Sequence, residues 1–348
     1  MCLSRLFFLI LFFCFSAVSA HAEPLKVTLL FGDSNSKTAI EAVKAIYKEY
    51  PDLKEKTSFR IYPLKGIKGE NLIHIKESGL ILIFIMGRDL VEAIKPELED
   101  AIKKGGKVYC VGGGSYDDDH KKMGIMADNK MVEYYSGGGP ENIKNMLLYS
   151  LKKEFSFDVS CGDVVKSPAF GIYEHNTIKV FEDFEEYKNI YLPYQKEKGL
   201  TGEALSPPRT EDKPWIGIVF YKNAATAGQT KVLDTVIEGL EAAGFNVLPV
   251  YGWPSETAIE KFFFDENGKS RVRLVVAMGM KMGINPQITI PLLSRLYVPL
   301  INAITLYSQS KEEWEKSPVG LDIFERSWQV AMPEMGGIIQ PTVMASKE

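Results

Sequence analysis

Cysteine and histidine are scarce. The 348-residue chain has 4 of each, and Cys2, Cys14 and His21 lie near its start. No CxxC, HExxH, Walker loop or paired-cysteine zinc spacing occurs. That excludes the sequence signatures of zinc ribbons, zinc peptidases and P-loop nucleotide hydrolases. A basic excess is also missing. Lys and Arg number 41 against 45 Asp and Glu, the formal net charge is −4, and no basic stripe is visible. Nucleic-acid binding therefore has no electrostatic footprint. Nor is the chain poor in core-forming residues. At 45% hydrophobic it is expected to be globular, and its length suits two ordinary domains. Cys110 and Cys161 leave two readings open, a disulfide or two thiols.

Residues 1–22 read as a secretory signal peptide. Arg5 precedes an apolar stretch, residues 6–15. Ala20-His21-Ala22 supplies an A-x-A cleavage site, with Val18-Ser19-Ala20 as the alternative. The stretch is short for a membrane span, and an uncleaved anchor is the rival reading. The expected location is exported and periplasmic, with membrane contact only through this segment if it is retained.

Residues 214–251 carry the clearest fold signal. An apolar, β-branched run at 216–221 is too short for a helix and suits a buried strand. A loop of small and polar residues follows at 222–229. Val232, Leu233, Val236, Ile237 and Leu240 then recur at helical spacing, and Gly244 sits where a left-handed residue would end the helix. A second apolar run returns at 245–250. Strands buried on both faces and joined by a crossover helix mean a parallel sheet. The loop at 222–229 thus leaves a strand's carboxyl end, where open α/β sheets bind ligands.

The rest of the chain extends this pattern. Strands are expected at 26–31, 59–64, 80–86 and 107–111, with helices between them, and later at 273–278 and 298–301. A short helix is expected at 290–297, a surface helix at 183–194, and a strand-like end with a glycine turn at 328–342. The fold class is α/β, two parallel-sheet βα lobes of Rossmann-like or flavodoxin-like type. The divisions are a signal peptide (1–22), a first lobe (23–155), a connector (156–212) and a second lobe (213–348). The lobes echo each other. Phe59-Arg60-Ile61-Tyr62-Pro63-Leu64 parallels Phe245-Asn246-Val247-Leu248-Pro249-Val250, and Ile85-Met86-Gly87 parallels Ala277-Met278-Gly279. Duplication and convergence both explain such echoes.

Three clusters invite a metal reading. Asp117-Asp118-Asp119-His120 sets carboxylates beside an imidazole, which suits a divalent cation, though a charge run in a loop is ordinarily just solvated. Met278, Met280 and Met282 alternate, offering soft sulfur for copper or, more plainly, core packing. His175 is a candidate haem ligand, or a structural histidine. No metal set is assigned.

Three blocks of residues resemble the N-terminal part of the large subunit of cobaltochelatase (CobN type), related to the H subunit of magnesium chelatase. The first is Gly171-Ile172-Tyr173 with Val180-Phe181 and Tyr187, and the second is residues 214–251. The third runs from Trp314, Ser317 and Gly320-Leu321 to Ala331-Met332-Pro333-Glu334-Met335-Gly336-Gly337. The resemblance implies a tetrapyrrole ligand, a divalent metal (cobalt, magnesium or iron) and other chelatase subunits as partners. It implies insertion of that metal, as in cobalamin biosynthesis, or its removal from haem. The chain departs from the family in length, in the small residues Ala224-Ala225-Thr226-Ala227 where bulkier Tyr or His is common, and in its export signal. It would be an N-terminal fragment or one subunit of a split protein. The ligand-contact candidates are Tyr221, Lys222, Asn223, Gly228 and Trp253. Glu334, in a proline-glycine framed turn, is the candidate catalytic base. The alternative function is a periplasmic two-lobe small-molecule receptor without catalysis.

Overall fold

The computed structural model describes residues 23–62, 67–85, 89–193, 209–226, 228–278, 282–307 and 309–346. The signal-peptide reading of 1–22 lies outside them. Among the described residues no helix is long and apolar enough to cross a membrane. The chain divides into two compact units. One comprises residues up to Tyr135 with Lys144–Cys161, the other Ser136–Ile143 with everything from Gly162.

The first unit is a sheet in the order β2-β1-β3-β4-β5. Its strands are β1 (Leu25–Leu30), β2 (Thr57–Ile61), β3 (Leu80–Phe84), β4 (Lys107–Gly112) and β5 (Met126–Ala127), and every pairing is parallel. The helix Asp33–Glu49 lies wholly within it, and the helix Gly139–Phe155 belongs to it from Lys144 onward. The helical stretch expected between the third and fourth strands is two helices, Asp89–Ala93 and Lys95–Lys103. Pro96, in the first turn of the second helix, lacks the N–H that would continue the first helix's bonding. Cys110 and Cys161 are free thiols, the first buried and the second partly exposed.

The second unit holds β6 (Gly171–Glu174), β7 (Lys179–Phe181), β8 (Trp215–Phe220), β9 (Asn246–Tyr251), β10 (Val272–Met278), β11 (Leu300–Leu306) and β12 (Pro341–Ser346). Their order is β12-β11-β10-β8-β9-β6-β7. The five strands from β12 to β9 pair in parallel, while β6 and β7 add an antiparallel margin. Residues 171–191, read from sequence as connector, are therefore part of this sheet and its covering layer. In each unit the first five parallel strands, taken in chain order, lie as 2-1-3-4-5, the flavodoxin-like arrangement. Among the described residues the two sequence echoes fall on matching places: residues 59–61 lie in β2 as 246–250 lie in β9, and Ile85 follows β3 where Ala277 and Met278 end β10.

Alternation along β8 builds two cores. Ile216, Ile218 and Phe220 pack with Leu233 and Ile237 of the helix Lys231–Ala242. Trp215 and Val219 face the other layer, with Phe262 and Phe263. Between them Gly217 leaves room for a ring, since a Cβ there would stand 2.5 Å from Cζ of Phe263. The helix Phe184–Tyr191, expected on the surface, is instead bound into the core. Tyr187 and Tyr191 are buried and stack with centroids 5.1 Å apart. The spacing of four residues puts both on one helix face. The Tyr187 phenol donates to the Val247 carbonyl (2.7 Å), and the Val247 N–H donates to the Tyr191 oxygen (2.9 Å). Strand β6 pairs with β9 only at its far end, so the two phenols satisfy backbone groups that would otherwise be buried without partners.

Arg209 closes this layer. Its guanidinium donates to the Tyr191 carbonyl (2.9 Å) and to Glu241 Oε1 (2.7 Å), and lies 4.0 Å from the Tyr191 ring centroid. His175 is enclosed here, with Nδ1 3.7 Å from Glu174 Oε1 and Nε2 3.7 Å from Glu241 Oε2. That enclosure removes it as a haem ligand. Burial depresses the His175 pKa; Glu241 and Glu174 pull it up and Arg209 pushes it down, leaving it below the ordinary value. For Glu174, burial works to raise the pKa but is outweighed by hydrogen bonds from Asn176 and Thr177 and by His175, so the net shift is downward.

The end of the chain is not a strand with a glycine turn. Residues Ser327–Ala331 form a π-helical turn and Met332–Met335 a short helix, and β12 begins only at Pro341. The Gln329 side chain explains the departure. Its amide nitrogen donates to the Thr305 carbonyl (2.7 Å) and its oxygen accepts from the Thr305 N–H (3.1 Å). One side chain thus takes both backbone groups of Thr305, where the β11–β12 register shifts.

Gly217→Val is expected to lower stability by about 1–3 kcal/mol through overpacking against Phe263. Gly239→Ala should raise it by about 0.5–1 kcal/mol, because that helical position has open space for a methyl group. Urea melts check both signs. A histidine with a depressed native pKa gives stability that is present above the unfolded pKa, about 6.5, and lost as pH falls through the native value. The unfolding midpoint should therefore drop less between pH 7.5 and 5 in His175→Gln than in the unsubstituted protein.

Candidate functional site

The chain leaves β8 to one side to form β9, then returns across β8 to form β10. Loops from the carboxyl ends of β8 and β10 thus diverge around a notch, the usual ligand position in open α/β sheets. After β8 come Tyr221, Lys222 and Asn223. The expected loop is largely a short helix, Lys222–Thr226, with Gly228 in the turn beyond it. Trp253 follows β9, and Gly283 and Ile284 follow β10. Tyr307 follows β11, which runs five residues past the expected end at 301.

Large apolar side chains are exposed along this one edge. Tyr221, Trp253 and Tyr307 are 42%, 56% and 47% exposed, and Ile284 is exposed beside them. Exposed aromatics at the carboxyl ends of parallel strands stand where open α/β sheets take ligands. The Tyr221 and Tyr307 pKa values are both raised, chiefly because protein displaces water from the phenols although the side chains as a whole remain exposed. Tyr221 adds to the upward shift at Tyr307, while burial alone raises the pKa of Tyr221.

Glu334 reaches the same edge by a different route. The loop after β10 meets the 332–337 turn backbone to backbone. A Cβ on Gly283 would stand 2.4 Å from the Met332 carbonyl oxygen, and one on Gly336 would stand 2.8 Å from Gly283 Cα. The Gly336 and Ile338 N–H groups both donate to the Pro333 carbonyl, tightening the turn. Glu334 is exposed on it. The sequence picked Glu334 for its proline-glycine frame, but Gly283, which holds that frame to β10, carried no motif signal.

The β8 loop is held from outside as well. Gly138 and Gly139 abut Thr226, where added Cβ atoms would stand 2.8 Å from its hydroxyl and 2.6 Å from its carbonyl oxygen. Asn142 fixes that segment, donating to the Gly138 and Val165 carbonyls (2.8 Å each) and accepting from the Val165 N–H (2.8 Å). Lys222 is half-buried, and its amine donates to the Ser167 carbonyl at 3.4 Å. Burial lowers its pKa.

The metal readings resolve into packing. Asp117 caps the helix Asp118–Met123, accepting from the Asp119 and His120 N–H groups and pairing with His120 Nδ1 at 2.7 Å. Asp118 and Asp119 pair with Lys121 and Lys122. Met278 and Met282 are buried in separate cores, and Met280 lies outside the described residues. Among the described residues no group of three or more His, Cys, Asp or Glu is placed to hold a metal ion.

Fold and site together define a pair of flavodoxin-like units, the second carrying exposed aromatic side chains at the carboxyl ends of its strands. Residues 132–348 match the CobN/Magnesium Chelatase family model, and the chain belongs to that family. An uncharacterized protein of Methanocaldococcus jannaschii is 24% identical over 93% of this chain and 24% of its own length. Magnesium-chelatase subunit ChlH of Oryza sativa subsp. indica is 29% identical over 62% of this chain and 16% of its own. The catalytic subunit of cobaltochelatase from Mycobacterium tuberculosis shares the fold at a TM-score of 0.53 and 17% identity, over 94% of this chain and 25% of that one. The chain thus spans about a quarter or less of these relatives.

Gly283→Ala should spring the 332–337 turn. We expect faster hydrogen exchange at residues 332–338 and a loss of stability of about 1–3 kcal/mol. Unchanged exchange there would mean the contact does not hold the turn.

Proposed function

We propose that this chain handles a tetrapyrrole, contributing one edge of a binding surface used to insert a metal into the macrocycle or remove it. The observation that carries this reading is the row of exposed apolar side chains at the carboxyl ends of β8, β9, β10 and β11, inside the family-matching region. A flat conjugated ring fits such a rim. Glu334 is the carboxylate proposed to accept a pyrrole proton during insertion. The metal is substrate or cargo in this scheme.

The rim reaches only an edge. Tight capture of a macrocycle buries most of its surface in an apolar pocket. Edge contact forgoes much of the gain of roughly 25 cal/mol per Å² while still meeting an association cost of several kcal/mol. The chain accordingly acts as a fragment or split subunit, with other chains or segments completing the site. The two-lobe receptor is the weaker reading. The passage of the chain between its units at three points, 135/136, 143/144 and 161/162, suits a receptor better than the single connector expected from sequence. The family match over residues 132–348 outweighs that.

Absorbance titration with haem and with metal-free porphyrin tests this. We expect binding with a Kd above about 1 µM and no metal insertion by the chain alone. Sub-micromolar affinity or unaided turnover would mean that the chain holds a complete site, and no binding at all would remove the reading.

The chain is also proposed to be exported, on the strength of Arg5, the apolar stretch 6–15 and Ala20-His21-Ala22. Mass spectrometry should find an N-terminus at His21 or Glu23. Intact Met1 in a cytoplasmic fraction would contradict this.

A further inference from the structure

The Lys222 amine differs from two other enclosed cations of the second unit, Arg209 and Lys188. Arg209 bonds Glu241, and Lys188 bonds Glu185 at 2.6 Å. Lys222 makes no ion pair among the described residues. Its acceptor is the neutral Ser167 carbonyl, at 3.4 Å, the long limit of a hydrogen bond. An ammonium has three donors and no acceptor, so this contact leaves it under-used. Burial of the amine lowers its pKa with no carboxylate opposing the shift. The side chain is not loose on the surface: Tyr221 precedes it, and the helix it begins is pinned at Thr226 by Gly138 and Gly139. A half-buried cation that directly follows the exposed Tyr221 in the chain, with no anionic partner among the described residues, is half of a site for an anion.

We propose that Lys222 is a specificity-determining residue that bonds a carboxylate on the periphery of a flat conjugated ring seated against Tyr221, Trp253 and Tyr307. The ligand class is an aromatic or macrocyclic acid, and an esterified or otherwise uncharged ring is discriminated against. This rests on the tetrapyrrole reading and adds to it which chemical feature of the ring is recognised. The carboxylate would replace the long contact to Ser167 with a charge-assisted bond. A bond of that kind gives roughly a tenfold to hundredfold preference.

The test is an absorbance titration of the full chain with a metal-free porphyrin dicarboxylic acid and with its dimethyl ester, in one solvent mixture at fixed ionic strength. We expect the acid to bind at least tenfold more tightly than the ester. Lys222→Met should weaken the acid to the level of the ester and leave the ester within about twofold. Equal binding of acid and ester by the unsubstituted chain overturns the inference while leaving the tetrapyrrole reading standing, and this comparison needs no variant to fold. A preference that survives in a folded Lys222→Met protein assigns it to another cation and also overturns the inference. Failure of both ligands to bind overturns both.

Discussion

The close approach of Gly283 to Met332 and Gly336 is the contact on which the second unit's site depends. Two backbones meet there at distances that no side chain at either glycine would permit. Without it the 332–337 turn would lose its closest hold on the segment after β10, leaving the packing of Ile338 beside Met282 and β10 residues to place Glu334. With it, a turn that lies some fifty residues beyond β10 in the chain is brought to the notch beside β8. The Pro333-Glu334 and Gly336-Gly337 pattern is therefore a docking device first. Any chemistry at Glu334 is built on that placement.

The remaining supports work by the same logic, each replacing a missing ladder partner or filling a close gap. The Gln329 amide stands in for a strand at Thr305, which lets a π-helical turn and a short helix intrude before β12. Tyr187 and Tyr191 do so at Val247 with their phenols. Arg209, Glu174, His175 and Glu241 then close the outer layer. A buried ionic cluster of this kind adds less net stability than a well-packed apolar one, but losing one partner from it is costly. Its effect is to fix where the chain enters β8, and so where Tyr221 and Lys222 emerge.

The fold was legible wherever periodicity and burial coincide. The strand at 216–221, the helix around Leu233 and Ile237, and the strand at 245–250 all stand in the structure within a residue or two, with Gly244 in a left-handed conformation as expected. Reading failed where side chains stand in for backbone. Nothing in the local pattern around Gln329 announces a bond to Thr305, and the aromatic spacing of Tyr187 and Tyr191 looks the same on a surface helix as on a buried one. The candidate site was half legible. Tyr221, Lys222, Asn223 and Trp253 follow from the rule for strand ends. Tyr307 does not follow, because the apolar run points to a strand end at 301 and β11 continues to Leu306, and Gly283 does not, because a single glycine in a loop carries no signal until its opposing backbone is known.

The carboxyl edge of the second sheet is the proposed ligand face. Hydrogen exchange of the chain with and without saturating metal-free porphyrin tests it most directly. Protection should appear at residues 221–226, 251–255, 282–285, 305–307 and 332–337, and little elsewhere. Protection confined to the first unit, or to the groove lined by Glu256, Glu260, Pro291 and Arg295, would contradict it.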